Sequence, residues 1–391
     1  MNPNTDFIPF ARPSLGTEEE EAVIKVLRSG WLTTGIETKN FEKEFSAYTN
    51  TKNALAVNSA TSGLHLALEA FGVGPGDKVI TSPYTFTSTA EVIRYLGAEP
   101  VFADIDPETF NINPGEIEKI LKKDTSIKGI IPVHIAGRPC DMDALLKLKN
   151  KYNIFILEDA AHSFPVKYNG KLLGSIGDAG VFSFYATKTI TTGEGGMVIT
   201  NNSSYAKRIS VMRLHGIDRE IWNRYTSEKP SWQYSIVDAG FKYNMTDISA
   251  SIGREQLKKA SLFLEKRKKI AKFYFEKFAD LDFLKLPEQY ENHGWHLFMP
   301  RIIPEKLTIT RDNFIKELMS KGIGISVHFI PLHIMPYYKN RYNYKDQDYP
   351  ETLKAYKTVF SLPIYPDLTD NQLERIVSAV IATGIRFRRK F

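Results

Sequence analysis

The chain has 391 residues, of which 42% are hydrophobic and 25% charged; these are ordinary values for a folded protein, and the length implies two domains or one large domain with a smaller appended layer. The formal charge of +6 is a mild basic excess that suits an anionic small molecule. The single cysteine, Cys140, excludes an intramolecular disulfide framework, no apolar run approaches the roughly 20 residues of a membrane helix, and MNPNTDFIPFARPS lacks the basic start and apolar stretch of a secretion signal, so a cytoplasmic location is expected.

Thr17 is expected to cap a first helix in TEEEEAVIKVLRSG, with acids in its first turn, Ala22, Val23, Val26 and Leu27 on one face, and Gly30 at its end. After the WLTTG loop, a second helix is expected from about Lys39 to Tyr48, then a strand from Ala54 to Val57. ALAV runs through NSATSG into a helix whose Leu64, Ala67, Leu68 and Phe71 keep helical spacing. KVITS, EPVFADI, KGIIPVH and NIFILED are further short apolar runs separated by helix-length segments, the pattern of a mostly parallel sheet covered on both faces. After about residue 255 the pattern changes to a long basic helix containing LEKRKKIAKFYFEKF, so the division expected is a large domain over 1–255 and a small one over 256–391. The basic runs Lys266, Arg267, Lys268, Lys269 and Arg386, Arg388, Arg389, Lys390 read as a solvated helix face and a frayed terminus rather than as nucleic-acid or membrane contacts.

Ligands of such sheets gather at the strand C-termini, and four stretches there carry chemistry. In VFSFYATKTITTGEGGM a buried-strand pattern ends in a hydroxyl-rich turn holding Lys188; Thr187, Thr189, Thr191 and Thr192 surround it, and Gly193, Gly195 and Gly196 let backbone approach a ligand. A lysine among apolar and aromatic groups loses its proton more readily than one in water, and the neutral amine can attack an aldehyde, as pyridoxal phosphate chemistry requires. A lone lysine at a strand exit more often reaches out to solvent. In NSATSGLHLAL a strand enters a helix through short hydroxyl residues, an anion cradle that by itself is no more than a helix cap. It has neither the P-loop lysine nor the dinucleotide spacing. In ILEDAAHS the acids Glu158 and Asp159 and then His162 follow buried-strand residues, and a carboxylate there needs a cation or hydrogen bonds. A protonated pyridine nitrogen would serve; a helix cap and a core histidine are the plainer alternatives, and no ligand cluster for a metal accompanies them. In TSPYTFTST, Phe86 could stack on a cofactor ring or simply fill core.

Taken in order, NSATSGLHLAL, PYTFTST, EDAAHS, FSFYATKTITTGEGGM and GFKYNMTDISASIG resemble the DegT/DnrJ-type sugar aminotransferases, and the resemblance runs from PFARPSLG to FSLPIYPDLT. Within that family SGWLTTG, IIPVHIAG and GFKYNMTDI are most similar to members that make UDP-4-amino-4-deoxy-L-arabinose for lipid A modification. The resemblance implies an α/β protein with the aspartate aminotransferase-like fold (fold type I), a large domain with a mixed seven-stranded sheet, a smaller C-terminal α/β domain, and a homodimer with shared active sites. It implies pyridoxal 5'-phosphate as cofactor, Lys188 as the Schiff-base lysine and Asp159, rather than Glu158, as the partner of the pyridine nitrogen. Phe86 matches the stacking aromatic, His162 the neighbour of the cofactor's hydroxyl side, Ala60, Thr61 and Ser183 the phosphate binders, and Tyr185 and His328 stand on the substrate side. Many members reach the phosphate across the dimer with the asparagine of a G-x-N-x-R motif. Here Lys242 stands at the asparagine position and Asn244 at the arginine position, so both are candidates for that contact.

The reaction implied is ping-pong transamination from an amino acid, by family likeness glutamate, to a nucleotide-linked keto-sugar at C4, with Lys188 as general acid and base. A sugar dehydratase of the same fold would resemble this chain with a histidine in place of Lys188. An NAD-dependent dehydrogenase would need a glycine fingerprint after a strand that is absent here. A non-catalytic regulator would be favoured by loss of Lys188 or Asp159, and both are present.

Overall fold

A computed structural model describes residues 7–218 and 233–389. In chain order its elements are α1 (Thr17–Ser29), α2 (Ile36–Thr49), β1 (Asn53–Val57), α3 (Ala60–Ala70), β2 (Lys78–Thr81), α4 (Ser88–Tyr95), β3 (Glu99–Phe102), α5 (Pro114–Leu121), β4 (Ile127–Ile131), α6 (Met142–Tyr152) and β5 (Phe155–Asp159). There follow β6 (Lys167–Tyr168), β7 (Lys171–Leu172), β8 (Ala179–Ser183), β9 (Gly196–Thr200), α7 (Ser203–Met212), α8 (Asp247–Phe278), β10 (Leu284–Lys285), β11 (Arg301–Ile302), α9 (Arg311–Ser320), α10 (Pro336–Tyr342), α11 (Pro350–Thr358) and α12 (Asp370–Arg386).

Seven strands form one mixed sheet in the order β1, β9, β8, β5, β4, β2, β3, and β9 is its single antiparallel member. Strand alternation sorts the side chains to two faces. Leu55, Val57, Val181 and Val198 pack under α3 and α7 with Leu64, Leu68 and Ile209, while Ala56, Phe182, Met197 and Ile199 meet Phe41, Phe45 and Phe263 from α2 and α8. The second half of α8 enters a separate core with Ile270, Tyr274 and Phe278, joined by Phe298, Phe314, Phe360 and Ile376. The position 255 expected for a boundary lies inside this helix.

Several local expectations change. The cap of α1 is Gly16, whose N–H donates to Glu19 Oε2 at 2.8 Å; Thr17 is already helical, Glu19 is buried, and Leu27 faces solvent. Helix α2 starts three residues early because Asp247, more than 200 residues away, caps it: its carboxylate accepts from the N–H groups of Gly35 (2.7 Å), Glu37 (3.2 Å) and Thr38 (2.9 Å). The basic run of α8 is not all solvated, since helical periodicity turns Arg267 inward, where it is 2% exposed. The C-terminal run is not frayed as far as Arg389: Arg388 pairs with Asp282 at 2.8 Å, Arg386 with Glu317 at 3.2 Å, and Arg389 Nε donates to the Leu307 carbonyl. Lys390 lies outside the described residues. Among the described residues no helix is long and apolar enough to cross a membrane, and no cluster of three metal-ligating side chains occurs.

Candidate active site

Parallel strands β1, β2, β4, β5 and β8 deliver their C-terminal ends to one edge of the sheet, and a cavity of about 450 Å³ opens there. Ser59 follows β1 and caps α3: its Oγ accepts from the Ser62 N–H at 3.1 Å, and Ser62 Oγ donates to the Ser59 carbonyl at 2.7 Å. A helix's first N–H groups have no partner within the helix, so those of Ala60 and Thr61 stay available at the cavity wall, where the helix dipole also favours an anion. The cradle is held tightly. A Cβ on Gly196 would come within 2.7 Å of the Ser59 carbonyl carbon, and one on Gly63 within 2.8 Å of Val181, so β9 and β8 press directly on the start of α3.

Adjacent acids at the end of β5 face opposite sides of the sheet. Glu158 is fully buried and its carboxylate accepts from the backbone N–H groups of Gly174 (2.7 Å), Ile176 (2.7 Å) and Gly177 (2.6 Å) and from His134 Nε2 (3.0 Å). The His134 proton sits on Nε2 because Nδ1 accepts from the Cys140 N–H. Every lone pair of Glu158 is thus engaged in structure. Asp159, turned the other way, lines the cavity; its Oδ2 accepts from the Thr89 hydroxyl at 2.8 Å and its Oδ1 from the Ala161 N–H at 3.2 Å. Burial pushes its pKa up, while Thr89, Ala161 and the charge of Lys188 pull it down.

Lys188 sits in the loop between antiparallel β8 and β9, which is closed by paired backbone bonds: the Phe184 N–H donates to the Gly195 carbonyl and the Thr192 N–H to the Phe184 carbonyl, both at 2.9 Å. Lys188 lines the cavity, and burial lowers its pKa to about 8, against the opposing charge of Asp159. The loop's hydroxyls mostly serve the loop: Thr191 donates to the Phe184 carbonyl and Thr192 to the Glu194 carbonyl, leaving Thr187 on the cavity. Of the three glycines, Gly195 lines the cavity, Gly193 supplies a left-handed turn (φ 79°), and Gly196 gives room to the chain's own cradle rather than to a ligand.

Ser183, Tyr185, His162, His328 and Phe86 complete the wall, and Phe86 is 58% exposed, its ring 6.2 Å from that of Phe329. His162 Nδ1 accepts from the Ala136 N–H at 3.3 Å, and burial with the Lys188 and His328 charges holds its pKa well below the usual value. His328 Nδ1 lies 2.9 Å from Ser361 Oγ, and its pKa is lowered by burial to about 3. Lys242 and Asn244 do not line the cavity of their own chain. They bond to each other (2.6 Å) beside the end of β1, and Asn244 donates to Thr34 Oγ1 at 2.7 Å. Thr89 and His296 were not signalled in the sequence: Thr89 lies inside a helix and His296 in a segment without strand or helix periodicity.

The chain matches the DegT/DnrJ/EryC1/StrS aminotransferase family over residues 13–381. It is 50% identical over 376 residues to the uncharacterized protein MJ1066 of Methanocaldococcus jannaschii, covering 96% of this chain and 97% of that one. It is 45% identical over 377 residues to the spore coat polysaccharide biosynthesis protein SpsC of Bacillus subtilis, covering 96% of each. The fold superposes on the PMP form of the putative sugar aminotransferase Spr1654 from Streptococcus pneumoniae with a TM-score of 0.89 and 33% identity, over 97% of this chain and 99% of that one.

Proposed function

The chain belongs to the DegT/DnrJ/EryC1/StrS aminotransferase family, and on that premise we propose that it transfers an amino group from glutamate to C4 of a nucleotide-diphosphate-linked keto-sugar, yielding an amino-sugar for a surface polysaccharide or lipid. The cofactor is pyridoxal 5'-phosphate; the related Spr1654 is known in a PLP form and a PMP form, and the cavity fits the group. The free N–H groups at the start of α3 would hold its phosphate, the buried carboxylate of Asp159 would face its ring nitrogen, and Lys188 would offer an amine of lowered pKa to its aldehyde. That conjunction in one cavity, Lys188 with Asp159 and an open helix N-terminus, carries the proposal.

When bound, the cofactor supplies a carbon that carries the nitrogen and a ring that withdraws electrons from the reacting carbon. The Ala60 and Thr61 N–H groups and the Ser183 hydroxyl hold its phosphate, with Lys242 or Asn244 added across a homodimer interface. Asp159, positioned by the Thr89 hydroxyl and the Ala161 N–H, would pair with the ring nitrogen and keep it protonated. Phe86 would stack on the cofactor's ring and His162 would stand on its hydroxyl side. Lys188 Nζ takes the proton from the donor's α-carbon and later delivers one to the sugar carbon; its lowered pKa keeps part of the population neutral for the first task. Tyr185 and His328 face the substrates. The proposal extends to a cytoplasmic enzyme with a large domain over 1–255 and a small one over 256–391.

The test is spectroscopic. The purified chain with pyridoxal phosphate should absorb visible light, glutamate should bleach the band, and a panel of nucleotide-linked 4-keto-sugars should restore it. A chain whose band ignores every amino acid would refute the proposal.

A further inference from the structure

Within the cavity wall, His296 is 6% exposed and its Nδ1 is sealed from solvent with no hydrogen-bond partner. Its Nε2 is not among the sealed atoms, and the ring lines the cavity, so Nε2 is the nitrogen that opens onto it. A buried N–H lacking an acceptor is rarer and costlier than a bare lone pair, which assigns the proton to Nε2. His296 is therefore an N–H donor into the cavity. Its ring lies 4.4 Å from that of His162, and its backbone is clamped, the N–H donating to the Ala136 carbonyl at 2.9 Å. Behind it stands Arg267, whose Nη1 donates to the carbonyls of Trp295 (3.4 Å), His296 (3.4 Å) and Ile364 (2.6 Å). Burial lowers the Arg267 pKa to about 10, no carboxylate of the described residues offsets its charge, and its Nε is also unpartnered. This wall thus offers a fixed neutral donor backed by an uncompensated buried cation, the electrostatic complement of an anion.

We propose that His296 Nε2–H, in the field of Arg267, receives the carboxylate carried on the reacting carbon of the amino acid donor. The inference rests on the transaminase reading above. Every α-amino acid brings that carboxylate and the departing keto acid keeps it, whereas a keto-sugar has none at its reacting carbon. His296 is accordingly a residue of the first half-reaction, and the same wall meets only neutral oxygens in the second.

The experiment uses the holoenzyme of the wild type, His296→Phe and His296→Gln, the glutamine retaining an N–H. Bleaching of the visible band is followed against L-glutamate and L-isoglutamine, its α-carboxamide, and the Kd of glutarate, which lacks the amine, is measured by calorimetry. For His296→Phe the half-saturating glutamate and the glutarate Kd should both rise by about 10- to 100-fold, as expected for losing a hydrogen bond to a charged group. Isoglutamine should change by less than about threefold, recovery of the band by a keto-sugar by no more than twofold, and His296→Gln should fall between wild type and phenylalanine. Equal losses for glutamate and isoglutamine, an equal loss in the sugar half-reaction, or unchanged glutamate saturation in both variants would overturn the inference. If His296→Phe does not hold the cofactor, His296→Gln alone decides by the same comparison. A wild type that no amino acid bleaches would refute the transaminase reading instead.

Discussion

Gly196→Ala tests how the proposed phosphate cradle is built. The new Cβ would come 2.7 Å from the Ser59 carbonyl carbon and 2.8 Å from the Ala60 nitrogen, and both are backbone atoms that cannot rotate away. Gly196 cannot yield either, because it is paired with Val57 on β1 and with Ser183 on β8. The first turn of α3 must therefore move by several tenths of an ångström or more. Overpacking of this kind costs about 1–3 kcal/mol, a factor of about 5 to 150 in a dissociation constant when it falls on the ligand-bound geometry. The assay compares pyridoxal phosphate with pyridoxal, which has no phosphate: the variant should lose affinity for the first and change little toward the second. Gly193→Ala is the control, since that site has open space but a φ of 79°; it should strain the loop without selecting for the phosphate. Equal losses for both ligands, or wild-type phosphate discrimination in Gly196→Ala, would refute the reasoning.

Other expectations are more direct. Lys188→Ala should fold and bind the cofactor's phosphate but lose the visible band and turnover, and an active variant would contradict its role. In the wild type, the rate of covalent attachment of pyridoxal phosphate should rise about tenfold per pH unit from pH 6 and level near pH 8, following the neutral amine; a rise continuing to 10.5 would show an unperturbed lysine. By the same shift the unfolded chain holds a proton that the folded one has lost between about 8 and 10.5, so the cofactor-free protein should gain stability from this group as pH rises through that window. Thr89→Val removes the hydroxyl bonded to Asp159 and should weaken cofactor binding by about 10-fold or more, with Thr89→Ser close to wild type; equal affinities would detach Thr89 from the site. Glu158→Gln sets an amide against backbone donors and should lower stability by about 1–3 kcal/mol or more in a denaturant titration, whereas Asp159→Asn should spare stability and weaken cofactor binding and turnover.

Lysine, carboxylate and hydroxyl cradle are legible in the chain because each follows a short apolar strand, and a parallel sheet brings such ends to one edge. Period two says that Glu158 and Asp159 face opposite ways; it does not say which face holds the cavity, and only the packing of α4, with Thr89, decides that. Arg267 is hidden in a run of four basic residues, where composition suggests solvent and helical periodicity turns one of them inward. Asp247 caps a helix 211 positions before it, and His296 lies in a stretch with no periodic signal. Both acquire their roles from long-range packing, for which local propensity has no term.

The backbone bonds that close the loop between β8 and β9 also bear on how the protein can be altered. A residue inserted between Tyr185 and Glu194 has nowhere to go except the turn itself, because Phe184 and Gly195 are tied together at its neck, and it would swing the reactive nitrogen while leaving the sheet intact. Evolution and engineering can thus vary the composition of that turn more freely than its length. A deletion there is expected to give well-folded, colourless, inert protein.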